Sequence, residues 1–208
     1  MAINAPRGLC FFNAQTRLAM ITIPKCASST LRKGLNLTDC VTLSTLDNGK
    51  YKSTLIYFAV IRNPIERFVS GFIEILRRGK TDSPHILDME FYKEKNNMGK
   101  FLKLIETLED VVEKDGHIQQ QSFFISPPLN PTFLLRQENL EGDLNVFLGK
   151  NRFPLVTVRR INTTDPDEHS LYLNKLLTDS DLMSKVMAVY EQDIHLFQSL
   201  SVEKNKTI

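Results

Sequence analysis

No stretch of this sequence approaches the ~18 consecutive apolar residues that a membrane span requires. The N-terminus, MAINAPRGLCFF, lacks a charged segment followed by a long apolar one, so it does not read as a secretory leader. Cys10, Cys26 and Cys40 are the only cysteines. They are too few and too irregularly spaced for a disulfide framework or a zinc site. The formal net charge is only +2, which removes the bulk basic field of a nucleic-acid binder and leaves room for a local basic cleft. The pattern G-x-x-x-x-G-K-[ST] is absent, so the usual nucleoside triphosphate loop is excluded. Repeats and low-complexity tracts are also missing. With 42% apolar and 24% charged residues, the chain is neither disordered nor fibrous, and 208 residues suit one domain with a sizeable core.

What the chain does have is a pair of strand-loop-helix passages. The first is LAMITIPKCASSTLRK, Leu18–Lys33. Its apolar run, Leu18–Ile23, stops at Pro24. Lys25, the small residues Cys26, Ala27, Ser28 and Ser29, then Thr30 lead into a helix expected over Ser28–Leu35. Unpaired N–H groups at such a turn suit an anion, above all a phosphate. Small side chains let it approach the backbone, hydroxyls add donors, and Lys25 adds a full charge. An ordinary turn with a solvated lysine fits the same local pattern. Cys26 needs only to be small there, although a nucleophilic thiol is the alternative.

The second passage is FAVIRNPIERFVSGF, Phe58–Phe72. A strand over Tyr57–Ile61 ends before Arg62. Asn63 is a good N-cap and Pro64 suits the first helical position, so a helix is expected over Pro64–Arg78. Ile65, Phe68, Val69, Phe72, Ile73 and Leu76 give it an apolar face. Ser70 lies on the side of Glu66, away from the Val69/Phe72 stripe. Arg62 with Ser70 suits a second phosphate; Arg62 paired with Glu66 or another carboxylate is the other reading.

PKCASST after one strand and RNPIERFVSGF after another resemble the two donor-binding motifs of sulfotransferases that use 3′-phosphoadenosine 5′-phosphosulfate (PAPS). The likeness is closer to the membrane-bound carbohydrate type (sulfotransferase family 2) than to the cytosolic steroid and phenol type. HIQQQ (His117–Gln121), RQENLEGDLNVFL (Arg136–Leu148), INTT (Ile161–Thr164) and YEQDIHLF (Tyr190–Phe197) resemble later segments of that family. The resemblance implies a single sulfotransferase domain over residues 1–208. It implies a three-layer α/β sandwich with a mainly parallel sheet, like that of the P-loop nucleoside triphosphatases. Lys25, Cys26, Ala27, Ser28, Ser29 and Thr30 then cradle the 5′-phosphosulfate, and Arg62 and Ser70 bind the 3′-phosphate. Arg160 and Thr163 are further donor contacts by the same likeness. The reaction implied is in-line sulfuryl transfer from PAPS to an acceptor hydroxyl on a carbohydrate, leaving adenosine 3′,5′-bisphosphate, with no metal.

Lys25 is expected to stabilise charge on the leaving phosphate. His117 is the first candidate for the base that activates the acceptor hydroxyl, since it matches the family's H-x-x-x-Q segment and an unperturbed histidine side chain is the type suited to proton transfer near neutral pH. Capping the preceding helix is its structural alternative. Glu66 and His85 are the other candidate bases, and Glu66 is equally suited to orient Arg62 or Arg67. Gln119 and Gln121 are acceptor contacts or plain loop residues. Two other functions fit the same architecture: a P-loop-type kinase, and an inactive nucleotide- or glycan-binding module. The kinase would want its lysine late in the loop and a carboxylate for magnesium. The family's N-terminal Golgi anchor has no counterpart here. A cytoplasmic or otherwise soluble protein is therefore expected, with the Golgi lumen as its place only if an anchor has been removed.

Other elements follow from periodicity and turn residues. Phe11–Thr16 reads as a short strand or as a lead-in to the strand at Leu18–Ile23, and strands are expected at Cys40–Leu46, Phe133–Leu135 and Pro154–Val158. Helices are expected at Gly99–Lys114, Leu140–Leu148, Ser170–Leu177 and Asp181–Leu200, the last burying Leu182, Val186, Val189, Ile194 and Phe197. Gly79–Asn97 and Ser126–Pro131 read as loops near the acceptor. The strand-helix alternation by itself argues for an α/β domain, with a ligand at the carboxyl ends of the strands.

Overall fold

The computed structural model of the chain describes residues 8–42, 54–79, 88–125, 131–158 and 164–204. The chain divides into two compact units. The first holds Met1–Arg62 and Gln121–Thr163; the second holds Asn63–Gln120 and Thr164–Ile208.

The first unit is built on a five-stranded sheet. Its strands are β1 (Leu9–Asn13), β2 (Leu18–Ile21), β3 (Asp39–Thr42), β4 (Ile56–Ile61) and β5 (Phe133–Arg136), in the order β3-β1-β2-β4-β5. The sheet is mixed, not mainly parallel. β2, β4 and β5 run parallel, whereas β1 is antiparallel to both β2 and β3. The cause is a tight hairpin. Asn13 Oδ1 accepts from the N–H of Gln15 at 2.9 Å and of Thr16 at 3.1 Å, and Arg17 takes a left-handed backbone, φ 62°. That Asx-type turn sends the chain straight back. Every side chain of β2 is buried, and Phe58, Ala59 and Ile61 of β4 are wholly so. Helix α1 (Ser28–Gly34) follows β2.

The second unit is organised around α2 (Pro64–Gly79). Asn63 Oδ1 accepts from the N–H groups of Ile65 at 3.0 Å and Glu66 at 3.3 Å, so the expected cap is in place. Burial runs around most of the helix, including Arg67, Ser70 and Gly71 as well as the expected apolar stripe. Phe72 lies 4.9 Å from the ring of Phe101 and 5.0 Å from that of Tyr172, which centres the core there.

The helix expected over Gly99–Lys114 is two, α3 (Asn97–Glu106) and α4 (Leu108–Val111). Thr107 divides them: its hydroxyl donates back to the Lys103 carbonyl at 3.0 Å, in competition with the helical ladder. A short α5 (Gln121–Ile125), not anticipated, belongs to the first unit. So does α6 (Leu140–Lys150), where Phe147 packs 5.1 Å from Phe58 and 4.8 Å from Phe133.

The second unit is completed by α7 (Pro166–Thr178), α8 (Ser180–Val189) and α9 (Glu191–Lys204), so the long helix expected over Asp181–Leu200 breaks at Tyr190. Val186 is buried as expected, but so are Tyr190 and Asp193, which the apolar pattern did not include. The strand expected at Pro154–Val158 is not formed. Leu155 there is 67% exposed, and the segment joins no strand of the sheet. Most of the Ser126–Pro131 loop lies outside the described residues.

Candidate functional site

In the first unit, β2 gives way at Thr22 to a turn through Pro24–Ala27, and α1 begins at Ser28. Two non-glycine residues of this turn hold left-handed backbone: Lys25, φ 66°, and Ala27, φ 57°. Such residues are uncommon and cost energy, so neighbouring structure must enforce them. Here the Cys26 N–H bonds the Ile23 carbonyl at 3.2 Å, the Ser28 hydroxyl donates to the same carbonyl at 3.0 Å, and Cys26 is buried. Left-handed residues on either side of Cys26 give the alternating backbone from which anion-binding nests are built. With only seven residues, α1 adds little dipole; the loop's own N–H groups and Lys25 are the main positive features. Ser29 is exposed and Thr30 is buried in the first turn of α1.

The parallel pairing of β2 with β4, Met20 opposite Phe58 and Ile21 opposite Ala59, brings both strands out at the same edge of the sheet. The loop and Arg62 therefore share that edge. Arg136, which ends β5, pairs with Ile61 in the next register and stands there too. Asp143 accepts from the Arg136 N–H at 3.0 Å and from the Asn139 side chain at 2.7 Å, so its buried carboxylate fixes the turn into α6. Gln121, at the start of α5, is wholly buried.

In the second unit, Ser70 is fully buried within α2. Next to it, Gly71 leaves room for a backbone: a Cβ there would meet the His117 carbonyl oxygen at 2.2 Å. The buried Arg67 donates to the carbonyls of Gln119 at 2.7 Å and Gly116 at 3.1 Å. The Tyr190 hydroxyl donates to the Ile118 carbonyl. Burial pushes that phenol well above its usual range; the charge of Arg67 works against the shift and that of Asp193 adds to it. Residues 115–119 are thus held against α2.

This turn carries His117. Asp115 Oδ1 lies 2.6 Å from His117 Nδ1 and also accepts the His117 backbone N–H at 2.8 Å. With Nδ1–H donated to the carboxylate, Nε2 is left as the basic atom. The His117 side chain is 14% exposed and that of Asp115 4%. Sequence reasoning missed Asp115; the signal that would have found it is the D-x-H spacing in DGH.

Glu66 lies 3.3 Å from His169 Nε2, an ion pair when the imidazole is protonated. His85, Arg160 and Thr163 lie outside the described residues. Among the described residues no group of three or more His, Cys, Asp or Glu side chains could hold a metal ion, and no helix is long and apolar enough to cross a membrane. A shallow groove of about 390 Å³, lined by Phe11, Arg32, Lys33, Asn36, Leu37 and Thr38, lies at the far end of α1 from the loop.

Comparison with known proteins bears on this arrangement. A model of the sulfotransferase family matches residues 10–198, a span that includes both passages and the His117 turn. No curated protein and no solved structure matches the chain. A match over nearly the whole length settles the family: the chain belongs to the sulfotransferases, and sulfuryl transfer is the class of reaction that goes with that membership.

Proposed function

We propose that this chain moves a sulfuryl group from PAPS to a hydroxyl of a carbohydrate acceptor, acting as a single sulfotransferase domain with a P-loop-like phosphate site. The observation that carries the reading is the loop after β2. Its two left-handed residues, its lysine and its small side chains suit the terminal phosphosulfate of such a donor, in a chain of this family. When bound, PAPS supplies a sulfuryl group attached to a phosphate leaving group.

Lys25, with the loop from Cys26 to Thr30, holds the 5′ end and stabilises the charge that grows on the leaving phosphate oxygen. Arg62 suits the 3′-phosphate, because a guanidinium pairs with phosphate through two N–H donors. Ser70 and His117, in the other unit, take their roles from motif position: Ser70 a donor to the 3′-phosphate, His117 the base. Nε2 of His117 receives the acceptor proton while Asp115 holds Nδ1–H, so the imidazole keeps one tautomer and gains a counter-charge. Arg160 and Thr163 remain further donor contacts, and the chemistry as drawn uses no metal.

The test is transfer of radiolabelled sulfate from PAPS to a panel of glycans, lipids and small phenols. It is run beside thermal denaturation with adenosine 3′,5′-bisphosphate or with ATP and magnesium. The reading expects label on a glycan and stabilisation by the bisphosphate. Label only on phenols or lipids would overturn the carbohydrate assignment. Stabilisation by ATP and magnesium alone would overturn the donor. Bisphosphate binding with no transfer to any acceptor would point to an inactive binding module.

A further inference from the structure

Arg62 follows the last residue of β4, where the regular pairing of that strand ends. A side chain takes over. Gln121 Oε1 accepts the Arg62 N–H at 2.8 Å, and Gln121 Nε2 donates to the Arg62 carbonyl at 2.9 Å. The amide therefore grips both polar groups of one residue, as a neighbouring strand would. This pairing also fixes the orientation of the amide, because only oxygen can meet the N–H and only nitrogen the carbonyl. The same Oε1 accepts the thiol of Cys26 at 3.3 Å. Cys26 is the residue between Lys25 and Ala27, the two left-handed positions of the loop. One wholly buried amide is thus bonded to both passages, at the middle of the loop and at the base of Arg62. A buried amide is costly to desolvate unless its bonds are made, so a glutamine with no positional task would be poorly placed here.

We propose that Gln121 is a positioning residue for the donor: it sets the direction of Arg62 and the spacing between Arg62 and the phosphate loop. The proposal rests on the PAPS reading above. Gln121 does not touch the donor in this scheme; it acts through Arg62 and Cys26. Removing it takes these two bonds from the Arg62 backbone while leaving the sheet ladder β2–β4 as it is. The loss should fall on donor affinity and not on the chemical step.

The experiment compares wild type with Gln121→Ala and Gln121→Glu. Glutamate keeps an acceptor for the Arg62 N–H and loses the donor to its carbonyl. Adenosine 3′,5′-bisphosphate is titrated calorimetrically, KM for PAPS and kcat are measured separately, and amide hydrogen exchange is followed at Arg62, Met20 and Ala59. The expected result is a Kd for the bisphosphate and a KM for PAPS raised about tenfold in Gln121→Ala, with kcat changed less than about twofold. Exchange at Arg62 should accelerate while Met20 and Ala59 keep their protection.

Unchanged bisphosphate affinity in Gln121→Ala, or unchanged exchange at Arg62, would overturn the proposal. So would faster exchange at all three amides, since that reports general loosening. A wild-type protein that fails to bind the bisphosphate would overturn the donor reading itself, and this inference with it; the wild-type titration alone reveals that case.

Discussion

Replacing Gly71 by alanine puts one methyl group against a backbone that cannot easily move. The added Cβ would lie 2.2 Å from the His117 carbonyl oxygen and 2.9 Å from its carbon. Ordinary contact begins near 3.4 Å, so the His117 turn must retreat by roughly 1.2 Å. Retreat is opposed by the two Arg67 bonds to the Gly116 and Gln119 carbonyls and by the Tyr190 hydroxyl on Ile118. Overpacking of this kind costs about 1–3 kcal/mol, and weakening bonds from a charged donor adds to it, so a loss of about 3 kcal/mol is expected. If His117 is the base, a displacement near 1 Å should also lower kcat by about a hundredfold. Urea denaturation and steady-state kinetics measure both. Gly149→Ala in α6 is the control, since a Cβ there meets nothing within 4 Å; alanine should stabilise that helix by up to about 1 kcal/mol. A Gly71→Ala protein as stable as wild type, or equal losses in both variants, refutes the reasoning.

Lys25→Ala should raise the barrier to transfer by about 3 kcal/mol, roughly a hundredfold in kcat, with the melting temperature nearly unchanged; a fully active variant would remove Lys25 from the chemistry. Asp115→Asn removes the carboxylate that holds His117 Nδ1–H, and kcat should drop at least ~10-fold, an effect that rapid-quench transfer assays would separate from product release. Cys40 is exposed whereas Cys10 and Cys26 are buried, so mass spectrometry after brief treatment of the native protein with a maleimide should find label on Cys40 first. Burial, with a smaller push from Cys40, raises the Cys10 thiol from its ordinary 9.0 to about 12. The folded state therefore keeps a proton that the unfolded state gives up, and stability should fall as pH rises from about 9 towards 12. Denaturant melts across that range that are flat in wild type and in Cys10→Ala alike would contradict this.

The two passages were legible because their chemistry is local. A strand that stops at Pro24, an N-cap at Asn63 and a proline at position 64 each mark a boundary without help from distant residues. The hairpin between β1 and β2 was not legible, since NAQTR contains no glycine and its left-handed residue is an arginine. That omission turned an expected mainly parallel sheet into a mixed one. The break at Thr107 escaped for a related reason: apolar spacing continues through it while a hydroxyl interrupts the ladder. Ser70 was placed on the open side of its helix, yet α2 is buried on most sides, which a one-stripe reading cannot anticipate. In the site, His117 was read from its motif and its partner Asp115 was missed. The grip of Gln121 on Arg62 needs two residues 59 positions apart to meet, and no local pattern reports that.

The pairing of β4 with β5 has a kinetic consequence. Those neighbours are joined in register, Phe58 to Phe133 through Ile61 to Arg136, yet everything from residue 62 to residue 132 is threaded between them. On a ribosome the sheet would wait without its last edge until β5 emerged. Closing so long a loop is entropically slow, so this contact should be among the last to form and should govern how fast the protein refolds from denaturant.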